Sequence, residues 1–311
     1  MTPHDATGDQ ESVYAGLLGD TDASHWAFGT GFDDPLAGVD TAVPEGVDRA
    51  DLAAYCLMLG DDALVLAQRL AEWCSRAPEL EEDVALANIA LDLLGQARPL
   101  LARAAQADPG AVPVLPPGSP APPEDALAFF RDEPGFRNVR LVETANGDFA
   151  RSTVRLLLFS VWRLALLERL RGSRDPVLAA VAAKGVKEVA YHRDHAARWT
   201  VVLAQGTEES RRRVGAALEA VWPYRDELFT AHPVERRMAR AGIGPDPADL
   251  RAPCAAVLEE VWAAAGLAPP EVPGLARVGG RAGRDGVHTE ELGRLLAEMQ
   301  SVARAHPLGS W

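Results

Sequence analysis

DDALVLAQRLAEWCSRAPELEEDVALANIALDLLGQAR, residues 61–98, is the stretch that decides the fold. Its first half continues a pattern that opens at Asp48. Leu52, Cys56, Leu59, Ala63, Leu66, Leu70, Trp73 and Ala77 recur every three or four residues, the spacing of one apolar helical seam. The second half starts the pattern again at Leu80 and carries it to about Ala105. Outward from this pair, the proline-dense run 108–123 cannot be helical and reads as a connection. Short helices over 124–143 precede the turn Asn146-Gly147-Asp148, and Asp148 caps a long helix to about Arg171. Asp175-Pro176 then sets a capping carboxylate before a proline at the first helical position. That helix is expected to run to Gln205 and to end at Gly206 in the left-handed conformation. Further helices are expected over 207–230, 233–241 and 247–265, with a last one after His288. No stretch alternates with period two. The fold class is all-α: a four-helix frame with additional short helices packed round it.

At 311 residues the chain has ample length for one large domain, and its 48% apolar and 24% charged residues are ordinary for a globular protein. The net charge of −14 argues against a nucleic-acid partner, which would call for a basic surface. The charge is concentrated. Residues 1–51 hold eleven acids against Arg49 alone. Residues 1–47 therefore read as an acidic extension, expected to be mobile, in which Tyr14, Trp26, Phe28 and Phe32 are possible docking residues. Residues 48–311 form the helical domain. Three scattered cysteines indicate neither a disulfide framework nor a cluster, and Cys56 and Cys74 read as packing residues. The start lacks the basic and apolar regions of a signal peptide, and charges interrupt the apolar run 154–170, so a cytoplasmic protein with no membrane span is expected.

Polar residues inside apolar helices are the candidates for chemistry. Asn88, Asp92 and Gln96 lie four apart, as do Gln68 and Glu72, and Lys184, Glu188 and His192. Facing inward, these stripes would make a polar bundle centre, where charges need partners or a metal. A di-iron carboxylate bundle takes a Glu from each of two helices and a Glu-x-x-His from each of the other two. No histidine occurs between His25 and His192, and Val189 stands three before His192. The acid-x-x-His pairs, Asp22/His25 and Asp285/His288, fall outside the long helices. A complete di-iron site is therefore not expected. In place of metal charge, Lys184 is expected to pair with a bundle carboxylate such as Asp92 or Glu72, with a solvated lysine as the alternative. A reduced metal site on Glu72, Asp92, Glu188 and His192 would make the chain a self-sufficient metal-binding oxidoreductase. His192 and His195 can share a helix face, and a zinc there would need further ligands. Gly280, Gly283 and Gly286 are spaced like a phosphate loop but lack its strand and its Gly-Lys-Ser/Thr ending.

Four stretches carry a resemblance: 61–98, RDEPGFRNVRLVETANGDFA (131–150), SRDPVLAAVAAKGVKEVAYHRDHAARW (173–199) and GVHTEELGRLLAEMQ (286–300). With them the chain resembles the C subunits of bacterial phenylacetyl-CoA 1,2-epoxidases from about Asp48 to Trp311. The acidic start and the long proline-rich connection depart from that pattern. The resemblance implies a ferritin-like bundle with no metal ligands and no catalytic residues of its own, placed in a multicomponent monooxygenase of phenylacetate catabolism. A homologous A subunit would carry the di-iron centre and epoxidise phenylacetyl-CoA. A small B subunit belongs to the same complex, and a reductase with flavin and an iron–sulfur cluster would draw electrons from NADPH. Trp162, Trp199, Trp222 and Tyr224 are candidate interface anchors, with core packing the more ordinary role for each.

Overall fold

The computed structural model describes residues 38–309, and the acidic extension up to residue 37, with its aromatic residues, lies outside the described part. Among the described residues there is no strand, only an isolated bridge between Val278 and Arg281. The elements are α1 (Arg49–Ala71), α2 (Leu80–Ala107), α3 (Pro123–Phe129), α4 (Arg140–Glu143), α5 (Phe149–Leu170), α6 (Pro176–Gln205), α7 (Glu208–Val221), α8 (Pro233–Arg240), α9 (Arg251–Ala265), α10 (Glu290–Met299) and α11 (Ser301–Ala305). Helix α1 packs along α2, α5 along α6, and α2 closes the frame against α6. Helices α7 and α9 cover α5 and α6 from outside, and α8 and α10 cover α1.

The caps expected from the sequence hold the long helices. Asp148 and Asp175 each accept a backbone N–H in the first turn of α5 and α6, and Asp48, which is not among the expected caps, does the same for α1. Two boundaries and one cap conformation differ. The first helix ends at Ala71, because Asn146 donates to the Arg69 carbonyl and the chain turns through Ser75 in the left-handed region. Cys74 is therefore exposed, while Cys56 is buried as expected. Gly206 is not left-handed: its φ is −76°. The last carbonyls of α6 are instead taken from α7, by Ser210 on Leu203 and Arg211 on Ala204. Pro223 breaks the next expected helix, so Trp222–Phe229 runs on as a tighter 3₁₀ segment.

The core is aliphatic along α1, α2 and α5. Helix α5 is buried on nearly every side, and it takes Arg155 and Arg163 into the interior with it. Helix α2 is long and apolar enough to cross a bilayer, yet half of its most apolar window is buried against the fold.

Candidate functional site

Buried charge in this bundle is carried by arginine. Asp61 and Asp62, both fully buried in the middle of α1, tie down distant loops. Asp61 accepts from Arg131 and from the Arg137 N–H, while Asp62 takes both Nη groups of Arg284 at 2.8 and 3.0 Å and the Val139 N–H. Arg103 of α2 donates to the fully buried Asp175 at 3.1 and 2.6 Å, and also to the Thr41 and Ala42 carbonyls. Thr41 and Ala42, within the segment read as an extension, are thus anchored to the bundle. Glu143 and His288 form a further buried pair at 2.9 Å, in which Glu143 also accepts from Asn138 and from the Thr289 N–H.

Arg163 lies at the centre of this interior. It is fully buried, and its Nε and Nη2 reach Gln96 Oε1 at only 3.4 and 3.3 Å, while Nη1 has no partner. Burial pushes its pKa down to about 10, although Asp62 pulls the other way. Gln96 passes the contact on, donating to Glu188 on α6 at 3.1 Å. Gly185 makes this approach possible, since a Cβ there would come within 3.0 Å of Leu167 and 3.3 Å of Gln96. One end of α5 repeats the theme: Arg155 donates to the Thr144 carbonyl and the Asn146 side chain, and burial holds it at about 9.

The expected polar centre is only partly assembled. On the α2–α6 seam, Asp92 meets the buried His192 at 3.0 Å, and Glu82 meets His195 at 3.2 Å. Burial lowers the His195 pKa, against the pull of Glu82. Glu188 takes Gln96 and, at 3.5 Å, Lys184. Lys184 is the main correction. Its side chain is 53% exposed, and it pairs with neither Asp92 nor Glu72 but with Glu188 on its own helix. Glu72 sits at the end of α1, bound by Arg69 and Asn146. Gln68 is half-buried and makes no side-chain hydrogen bond with this group, and Asn88 is exposed.

Helix geometry explains the scatter. Residues four apart advance about 40° round the helix at each step, so an i, i+4, i+8 stripe turns through roughly 80°. Asn88, Asp92 and Gln96 accordingly pass from exposed through half-buried to buried, and Lys184, Glu188 and His192 do the same on α6.

These residues do not fit a metal. Among the described residues no three His, Cys, Asp or Glu side chains converge as a metal site requires. His192 and His195 are each bound to a different carboxylate, and Glu72 lies away from Asp92, Glu188 and His192. The glycine run offers no phosphate cradle either, because Glu227 already accepts the Gly283 N–H and Asp285 that of Ala282. As for the anchors, Trp162 and Trp222 belong to the core, while Trp199 and Tyr224 are half-buried, Trp199 edge-on to Phe149 at 5.2 Å.

Sequence reasoning missed Arg163, Arg155 and the Arg103–Asp175 pair as interior groups. The signal was present as charges interrupting apolar helices, which is otherwise a rare and costly placement.

Comparison with known proteins agrees with this architecture. The family model described as "Phenylacetic acid catabolic protein" matches residues 38–311. The C subunit of 1,2-phenylacetyl-CoA epoxidase from Escherichia coli (strain K12) is 45% identical over 263 residues, covering 84% of this chain and 99% of that protein. The all-α bundle and both matches lead to one statement: this chain belongs to the phenylacetic acid catabolic protein family.

Proposed function

We propose that this chain is the non-catalytic, structural subunit of a phenylacetyl-CoA epoxidase, and that it supports a homologous iron-bearing A subunit in aerobic phenylacetate catabolism. The observation that carries the reading is Arg163. A fully buried guanidinium occupies the interior of the frame, where a metalloenzyme would gather carboxylates and imidazoles. A fixed positive charge there opposes a second cation, the side chain it hydrogen-bonds is the Gln96 carboxamide, and the nearby Asp62 carboxylate is already taken by Arg284. The similarity to an epoxidase subunit along nearly the whole of that relative supports the same place in a complex. Substrate oxidation, electron supply from the flavin and iron–sulfur reductase, and any role of the small B subunit then belong to other chains. This one contributes a rigid bundle held by buried ion pairs.

Metal analysis of the purified chain, followed by co-expression with the A-type subunit, tests the proposal. Substoichiometric iron in the isolated chain, and a stable complex whose iron stays with the partner, are the expected results. A coupled dinuclear ferric signal from this polypeptide alone would overturn it.

A further inference from the structure

Helix α2 carries two apolar stripes, and the bundle uses only one of them. Leu86, Ile89, Leu93, Gln96, Leu100 and Arg103, spaced three and four apart, face the interior and are buried. Leu80, Val84, Ala87, Leu91, Leu94 and Arg98 follow a strict 4-3-4-3-4 spacing on the opposite side, and all are exposed. Leu80 is 74% exposed, Val84 53%, Leu91 60% and Leu94 45%. The outer side of a bundle helix is ordinarily polar. Of the eleven large apolar residues exposed among the described ones, these four share one helix face, and Tyr191, at 53%, stands on the neighbouring α6. Such a concentration marks an interaction surface rather than scattered surface residues.

The spacing also identifies the shape of the occupant. A 3.5-residue period keeps a seam facing one straight partner, so the surface fits a helix lying along α2 at a shallow angle, over about 27 Å. Charge narrows it further. The chain's two lysines, Lys184 and Lys187, are exposed one turn apart on α6, and Lys184 Nζ, which also pairs with Glu188, lies 4.0 Å from where a Gly95 Cβ would stand, beside this stripe. Lys187 has no ion-pair partner among the described residues. The occupant therefore presents carboxylates beside an apolar heptad seam. A second copy of this chain would bring the same lysines and the same net charge of −14, so it is the poorer match.

We propose that the α2 outer stripe, with Tyr191, Lys184 and Lys187 at its edge, is the surface on which an acidic, heptad-patterned helix of the homologous bundle subunit docks. This rests on the reading of the chain as a structural partner, and it names the face through which that pairing occurs.

The test measures binding of the full chain to the A-type subunit by interferometry, with sedimentation of the chain alone. Leu91→Glu/Leu94→Glu is expected to weaken the complex by about 100-fold, as the loss of central apolar anchors does. Lys184→Glu/Lys187→Glu is expected to weaken it by about tenfold and to flatten its salt dependence. Val302→Glu, at an exposed apolar residue elsewhere, serves as the control and should bind like the parent. Circular dichroism melts of the isolated variants separate a lost surface from a lost fold. If the parent chain binds and Leu91→Glu/Leu94→Glu binds equally well, the face is wrong and the subunit reading stands. If the parent chain does not bind at all, the subunit reading fails and the face with it. A dimer of this chain that the same double substitution dissociates would assign the stripe to a second copy and overturn the proposal.

Discussion

Asp175 performs two tasks with two oxygens, and their separate costs can be measured. Oδ1 accepts the Leu178 N–H at 3.0 Å and starts α6, while Oδ2 holds the buried guanidinium of Arg103. Asp175→Ala removes a cap worth about 1 kcal/mol. It also strands a buried cation, and breaking one side of a buried pair costs about 3–5 kcal/mol. Arg103 keeps the Thr41 and Ala42 carbonyls as acceptors, which places the expected sum at the lower end, about 4 kcal/mol. For a domain of this size that corresponds to a fall in melting temperature of roughly 10 °C. Asp175→Asn retains a capping oxygen and should lose only the charge component, so the two variants should differ by about 1 kcal/mol. Adding Arg103→Met to Asp175→Ala removes the stranded charge, and the double variant should be more stable than Asp175→Ala alone. Urea unfolding followed by circular dichroism reads all three. A loss of about 1 kcal/mol for Asp175→Ala, no more than the cap accounts for, would refute the reasoning.

Arg163→Met should behave in the opposite way: the guanidinium it removes is weakly bonded, with one Nη unpartnered, and Asp62 keeps Arg284. Its unfolding free energy is expected to lie between no change and a gain of about 2 kcal/mol, and a loss of that size would show that the charge is needed. His232 predicts an acid sensitivity. Its Nδ1 accepts the Val234 N–H at the start of α8, so the cap works only while that nitrogen is unprotonated. Burial holds its pKa below 6.5, against the pull of Asp285. The unfolded chain then takes up the proton first, so this contribution is present above pH 6.5 and is lost as the pH falls. His232→Ser keeps a capping hydroxyl that does not titrate. Its urea midpoint should fall less than the parent's between about pH 7 and about pH 5.5, and equal slopes would contradict the assignment.

The helices were legible in the sequence because their causes are local. The three-and-four spacing from Leu52 to Leu70, the caps at Asp148 and Asp175, and the prolines of the connection each act within a turn or two of chain. The scarcity of histidine was equally plain, since a count needs no structure. Pairing was not legible. Asp92 finds His192 and Arg103 finds Asp175 across 100 and 72 residues, and only the packing of α2 against α6 and its first turn brings them together. The same packing decided that the interior cation is Arg163, in the middle of a helix buried all round, and that Lys184 stays at the surface. A residue's own helix determines its angle about that helix axis, but which angle is inside is determined by the neighbours. For that reason the sequence alone showed α2 to be an apolar helix with one polar stripe, and only the tertiary structure revealed that one of its two apolar stripes is left uncovered.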